Sequence, residues 1–124
     1  MIEGEALALE VARRADDKQA DDIRILDLRG ISSITDYFVI CTGTSMPHLK
    51  AIRREIDEKI GEHHGLEPYS KEGTPESHWV VIDYGDVIAH VFHPEQRKQF
   101  ALEDLWSDAR IVGFEPSSEV HAAA

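Results

Sequence analysis

The sequence predicts an α/β (α+β) domain in which a single mixed β-sheet of about five strands is flanked by helices. Three observations carry that prediction. Two long segments repeat their apolar residues with the helical period. Four short runs are instead rich in β-branched and aromatic residues. The chain has 124 residues, enough for one hydrophobic core and too few for two domains of ordinary size. No internal repeat and no glycine- or serine-rich linker divides it. A single domain is therefore placed at residues 1–113, and a frayed, unstructured tail at 114–124.

The elements follow in order. From Glu5 to Asp17, Leu7, Val11, Ala8, Ala12 and Ala15 make one small apolar helix face. Ile23 to Leu28 alternates apolar and polar residues and reads as a strand ending at Arg29-Gly30. Tyr37 to Cys41 is a continuous β-prone run, expected to be buried on both faces. Ser45 is placed to cap a helix whose first turn carries Pro47, where a missing N–H costs nothing. Leu49, Ile52, Ile56 and Ile60 then fall on one face, and Gly65 stops the helix. Leu66 to Tyr69 is read as a short edge strand, although Pro68 weakens it. Trp79–Asp83 and Val87–Phe92 form a hairpin around Tyr84-Gly85, with Asp83 and Asp86 as flanking turn residues. Pro94 opens a last helix whose apolar residues are Phe100, Leu102, Leu105 and Trp106. The strand at Tyr37 feeds a helix before the chain re-enters the sheet, which demands a right-handed crossover if those strands are parallel.

Composition narrows the function. Acidic residues number 24 against 13 basic ones, a formal net charge of −11. That balance argues against nucleic acid, whose phosphates need clustered Lys and Arg, and against an anionic membrane surface. It favours a basic protein partner, attracted over long range. The single cysteine, Cys41, excludes an intramolecular disulfide and fits a reducing compartment. No apolar run is long enough to span a bilayer, and Met1-Ile2-Glu3-Gly4-Glu5 resembles neither a signal nor a transit peptide, so a cytoplasmic protein is expected.

Catalytic readings are weaker. Gly43-Thr44-Ser45 opens a helix after a strand, a place where backbone N–H groups favour phosphate. A nucleotide-binding or nucleotidyl-transfer enzyme is therefore the alternative, using Thr44, Ser45 and a Mg²⁺ held by Asp27, Asp36, Asp83 or Asp86. The loop lacks the Gly-Lys-Ser/Thr ending of a phosphate loop, and Asp83 and Asp86 bracket a turn and need not converge. His63-His64 end a helix, where they suit its last carbonyls. His78 and His90 are placed across the hairpin from each other, a poor metal site on their own, and His90 and His93 on opposite sides of the sheet. Cys41 sits in the most apolar run and reads as core. No serine lies in a nucleophile-elbow context. No cofactor, metal or catalytic residue is expected. What stands out instead is aromatic and acidic side chains on and beside one β-ribbon: Trp79, Asp83, Tyr84, Asp86 and His90, with Glu103 and Trp106 in the last helix. Trp and Tyr carry much of the energy at protein interfaces, so these seven residues are the candidate protein-binding set. Val80, Ile82, Val87 and Val91 alternate with them and are assigned to the core.

Four runs resemble one family: Asp36-Tyr37-Phe38-Val39-Ile40-Cys41-Thr42-Gly43-Thr44-Ser45, Glu72-Gly73, the stretch Trp79 to Phe92, and Leu102-Glu103-Asp104-Leu105-Trp106-Ser107-Asp108-Ala109. They are similar, in the same order, to the ribosomal silencing factors (RsfS, also called the iojap or YbeB family). The resemblance covers Leu7 to about Ile111, and the tail from Phe114 has no trusted counterpart. Phe100 departs from the pattern, standing where the family usually has Tyr. The resemblance implies a fold like that of nucleotidyltransferases without their catalytic carboxylates. It also implies a factor without enzymatic activity that binds the large ribosomal subunit. The implied contact is a basic ribosomal protein of the intersubunit face, the fourteenth of that subunit. Docked there, such a factor blocks joining of the small subunit and lowers translation when nutrients are short. Homodimers are common in the family when free.

Overall fold

Why these segments become these elements is visible in what each one buries. In the computed structural model, which describes residues 2–116, helix α1 spans Gly4–Asp17 and α2 spans Met46–His64. Leu7, Ala8, Val11, Ala12 and Ala15 of α1 meet Leu49, Ile52, Ile56 and Ile60 of α2 in one core, all fully buried. Each large apolar side chain there contributes roughly 1.5–3 kcal/mol over leaving it in water. Ser45 caps α2 as the sequence predicts, its Oγ accepting from the His48 N–H at 3.2 Å, and Gly65 closes it.

The strands are β1 (Asp21–Asp27), β2 (Tyr37–Thr42), β3 (Ser70–Thr74), β4 (Trp79–Asp83), β5 (Val87–Phe92) and β6 (Arg110–Val112). They form one sheet in the order β3-β4-β5-β2-β1-β6. Only the β2–β5 pair is parallel among the described strands, so the sheet is mixed, as predicted. Strand parity splits the side chains. Val39, Cys41, Val80, Ile82, Val87, Ala89 and Val91 face α1 and α2, which bears out the four valine and isoleucine core assignments. Leu26, Ile40 and Phe92 face the other way.

Three sequence assignments are corrected. The edge strand lies at Ser70–Thr74 rather than Leu66–Tyr69, and the sheet has six strands because β6 pairs with β1. The last helix is two: α3 (Pro94–Phe100) and α4 (Leu102–Leu105), broken at Ala101, whose φ of +46° is left-handed. Phe114, at the start of the expected tail, packs against the α1–α2 core; residues 117–124 lie outside those described. None of the described helices is long and apolar enough to cross a membrane.

Candidate functional site

The sheet face opposite α1 and α2 is only partly covered. Leu102, Trp106 and Ala109 pack on Leu26, Leu28, Ile40 and Phe92, leaving the β4–β5 half open. There, Phe38, Trp79, Val81, Ile88, His90 and Phe100 line a groove of about 590 Å³. The antiparallel register builds its floor: Trp79 lies opposite Phe92, Val81 opposite His90, and Asp83 opposite Ile88. In the parallel pair Phe38 lies beside Ile88. Two-residue periodicity therefore sends alternate side chains of three strands to one surface.

Within the groove, the aromatic groups fix one another. Trp79 stacks on Phe92 at 4.9 Å and lies tilted against Phe100 at 4.6 Å between ring centroids. Its indole Nε1–H donates to His90 Nδ1 at 3.2 Å, so neutral His90 carries its proton on Nε2. The His90 ring meets Phe38 edge-on at 4.5 Å. Burial disfavours an imidazolium among these rings and pushes the His90 pKa down to about 4. Trp106 closes the cluster against Phe38 at 6.2 Å. Strand β3 forms the outer rim, and Gly73 makes its approach possible. That residue has φ +72°, and a Cβ on it would run into the Trp79 carbonyl oxygen. Glu72 and Asp83 put carboxylates at the rim of this apolar floor.

The structure brings Trp79, Asp83, His90 and Trp106 to this one side of the sheet. Asp83 has a local task as well, since its Oδ1 accepts from the Gly85 N–H at 2.7 Å and shapes the hairpin turn. The other three predicted site residues lie elsewhere or are already engaged. Tyr84 has the parity of Val80 and Ile82, so it is buried in the α1–α2 core, and it leaves the candidate surface for that reason. Asp86 reaches the start of α1, where its Oδ2 accepts from the Gly4 N–H at 2.6 Å. It thus satisfies a helix-terminal donor, in place of Glu3, whose side chain makes no cap. Glu103 binds Arg97 Nε through Oε1 at 2.7 Å. Phe38, Val81 and Ile88 are lining residues absent from the sequence-based set. Counting by two from Trp79 yields Val81 and from His90 yields Ile88, but Phe38 needs the sheet order, which no local pattern encodes.

The features that suggested a nucleotide do not assemble. The Thr44 N–H donates to His48 Nδ1 at 2.9 Å, and the Ser45 hydroxyl is the helix cap. Asp27 is held by Arg29 and Arg110, its Oδ2 accepting from each at 2.8 Å, and the hydrogen bonds from Arg29 hold its carboxyl well below the usual carboxylate range. Asp83 and Asp86 lie on opposite sides of the sheet. Among the described residues no three His, Cys, Asp or Glu side chains are placed to share a metal ion. His78 does not face His90; it stacks on His93 at 5.0 Å, because the register sets His90 against Val81. The Cys41 thiol is fully buried and pushed up to about 12, which makes it a poor nucleophile.

The family model described as "Ribosomal silencing factor during starvation" matches residues 2–124. The chain belongs to the ribosomal silencing factor family. The match runs past Phe114, so the tail does have a family counterpart. The chain is 46% identical over 105 residues to ribosomal silencing factor RsfS of Bacillus subtilis, covering 84% of this chain and 88% of that protein. It is 42% identical over 115 residues to RsfS of Halalkalibacterium halodurans, covering 93% and 97%. A crystal structure of a Chromobacterium violaceum protein superposes with a TM-score of 0.81 at 26% identity, covering 94% of this chain and 97% of that one. The fold of this silencing factor is thus a shared one, and the family takes its name from silencing rather than from a reaction.

Proposed function

We propose that this silencing factor docks the open half of its sheet on a basic protein of the large ribosomal subunit's intersubunit face and thereby blocks small-subunit joining. The fourteenth protein of that subunit is the intended partner, and the action is steric, in the cytoplasm, with no covalent chemistry. The observation that supports this reading is the groove: an aromatic floor beside carboxylates, on a protein of net charge −11, in a family named for ribosome silencing. Aromatic residues in a partly desolvated pocket make the anchors that carry binding energy, whereas rim carboxylates steer a cationic partner and set its register. The rest of the domain contributes bulk and rigidity.

The test is co-sedimentation with large subunits and pull-down with the isolated partner. Trp79→Ala is expected to weaken binding by about 2 kcal/mol or more, because it removes the ring against which Phe92 and Phe100 pack. Asp83→Lys, reversing a rim charge, is expected to slow association. Folded variants that bind as the wild type does would remove this groove from the interface.

A further inference from the structure

Phe100, at the end of α3, stands in the wall of the groove, and Leu102 of α4 packs on Leu26, Leu28, Ile40 and Phe92. The buried residue of α3 is Arg97, and α4 has none. With no fully buried apolar side chain in either helix, directional polar bonds add to the partial apolar contacts in placing this segment. Arg97 supplies three of them. Its Nε donates to Glu103 Oε1 at 2.7 Å, and its Nη1 donates to the Asp22 carbonyl oxygen at 2.6 Å and to Thr42 Oγ1 at 2.8 Å. Nη2 lies 3.4 Å from Asp22 Oδ2. The pairing of β1 with β2 shifts register between Asp21 and Arg24, and Asp22 has a φ of +47°. That irregularity turns the Asp22 carbonyl away from the ladder and toward the guanidinium. One planar fork thus joins α3 and α4 to the start of β1 and the end of β2.

Phe100 is three residues beyond this fork, at the end of α3, and the chain turns at once through left-handed Ala101. The Ala101 N–H donates to the Arg97 carbonyl at 2.9 Å, so the turn is referred back to the same residue. Phe100 is 40% exposed and its ring meets those of Trp79 and Phe92.

We propose that Arg97 is a positioning residue for the docking groove: its guanidinium fork fixes the α3–α4 unit so that Phe100 stands against Trp79 before any partner arrives. The proposal rests on the docking reading given above. Arg97 contributes to affinity by removing an ordering cost that the partner's binding energy would otherwise have to offset. Lysine cannot replace it, because an ammonium presents its donors from one nitrogen and cannot reach Glu103, Asp22 and Thr42 together.

The experiment measures affinity for large subunits by co-sedimentation, well below the melting temperature, for wild type, Arg97→Met, Arg97→Lys, Phe100→Ala and the Arg97→Met/Phe100→Ala double variant. Arg97→Met and Arg97→Lys are each expected to weaken binding roughly tenfold. The double variant should bind within about twofold of Phe100→Ala, because without the ring there is nothing left to position. Emission from Trp79, which packs on Phe100, and from Trp106, which ends α4, should shift to the red in the Arg97 variants. Thr42→Val removes one acceptor at nearly constant shape; it should weaken binding less, in the same direction, and it carries the test if Arg97→Met does not fold. A role in stability alone would lower the melting temperature and leave affinity and coupling to Phe100 unmoved. Folded Arg97 or Thr42 variants with wild-type affinity, or losses that simply add in the double variant, would overturn the proposal. Failure of the wild type itself to bind large subunits would instead remove the docking reading, and this proposal with it.

Discussion

At the scale of single residues, His90 shows how the groove's chemistry follows from burial. The imidazole accepts from the Trp79 indole while surrounded by Phe38 and Phe92, an environment that favours its neutral form. Its pKa of about 4 lies below the ordinary value of 6.5, so the unfolded chain binds the proton more tightly. The stabilisation is therefore complete above pH 6.5 and is lost as pH falls from there toward 4. Urea unfolding at pH 7 and at pH 4.5 should differ by an amount on the order of 2–3 kcal/mol from this group. His90→Gln, which keeps an acceptor for the indole and does not titrate, should flatten that part of the profile. An unchanged profile would mean that His90 is charged or solvated in the folded state. Tyr84 illustrates the reverse error of sequence reasoning. Its identity as an aromatic turn residue suggests an anchor, but one step of strand parity buries it beneath the helices, and no property of the residue itself reports that.

At the scale of elements, the sequence is legible wherever one face is buried and illegible where none is. Helix α2 displays its apolar stripe, cap and terminator, and all fall where predicted. Replacing its cap by Ser45→Ala should cost about 1 kcal/mol in thermal or urea unfolding, because the His48 N–H loses its acceptor. The β4–β5 hairpin is equally plain, with Gly85 at φ +93° between the aspartates. Gly85→Ala should destabilise by about 1–2 kcal/mol through the left-handed backbone alone, and its Cβ would also push on the Tyr69 ring. Strand β3 gave no such signal. Its residues Ser70, Lys71, Glu72, Gly73 and Thr74 are polar or small and mostly exposed, so no alternation marks them, and the neighbouring apolar Leu66 drew the assignment instead. Strand β6 has three residues and is fastened by side chains from afar, with Arg110 reaching Asp27 at 2.8 Å. The break at Ala101 was hidden for a related reason: alanine is a strong helix former, and tertiary contacts override that preference. The candidate site shared these limits. Trp79 and His90 were readable from the ribbon, but Phe38 enters only because β2 lies beside β5 in the sheet.

At the scale of the whole molecule, a charge of −11 accompanies one half-open aromatic sheet face. Charges of that sign act beyond contact distance, speeding encounter with a cationic surface at low salt and losing reach as the Debye length falls to about 8 Å near physiological ionic strength. Co-sedimentation with large subunits should accordingly weaken as salt is raised, and more steeply for the wild type than for a variant with Glu72 and Asp83 neutralised. The most direct measurement is light scattering of purified small and large subunits as they join, with and without this protein. Obstruction predicts a dose-dependent loss of the joined particle, restored by Trp79→Ala. Full joining at saturating protein, with the protein seated on the large subunit, would contradict the steric account.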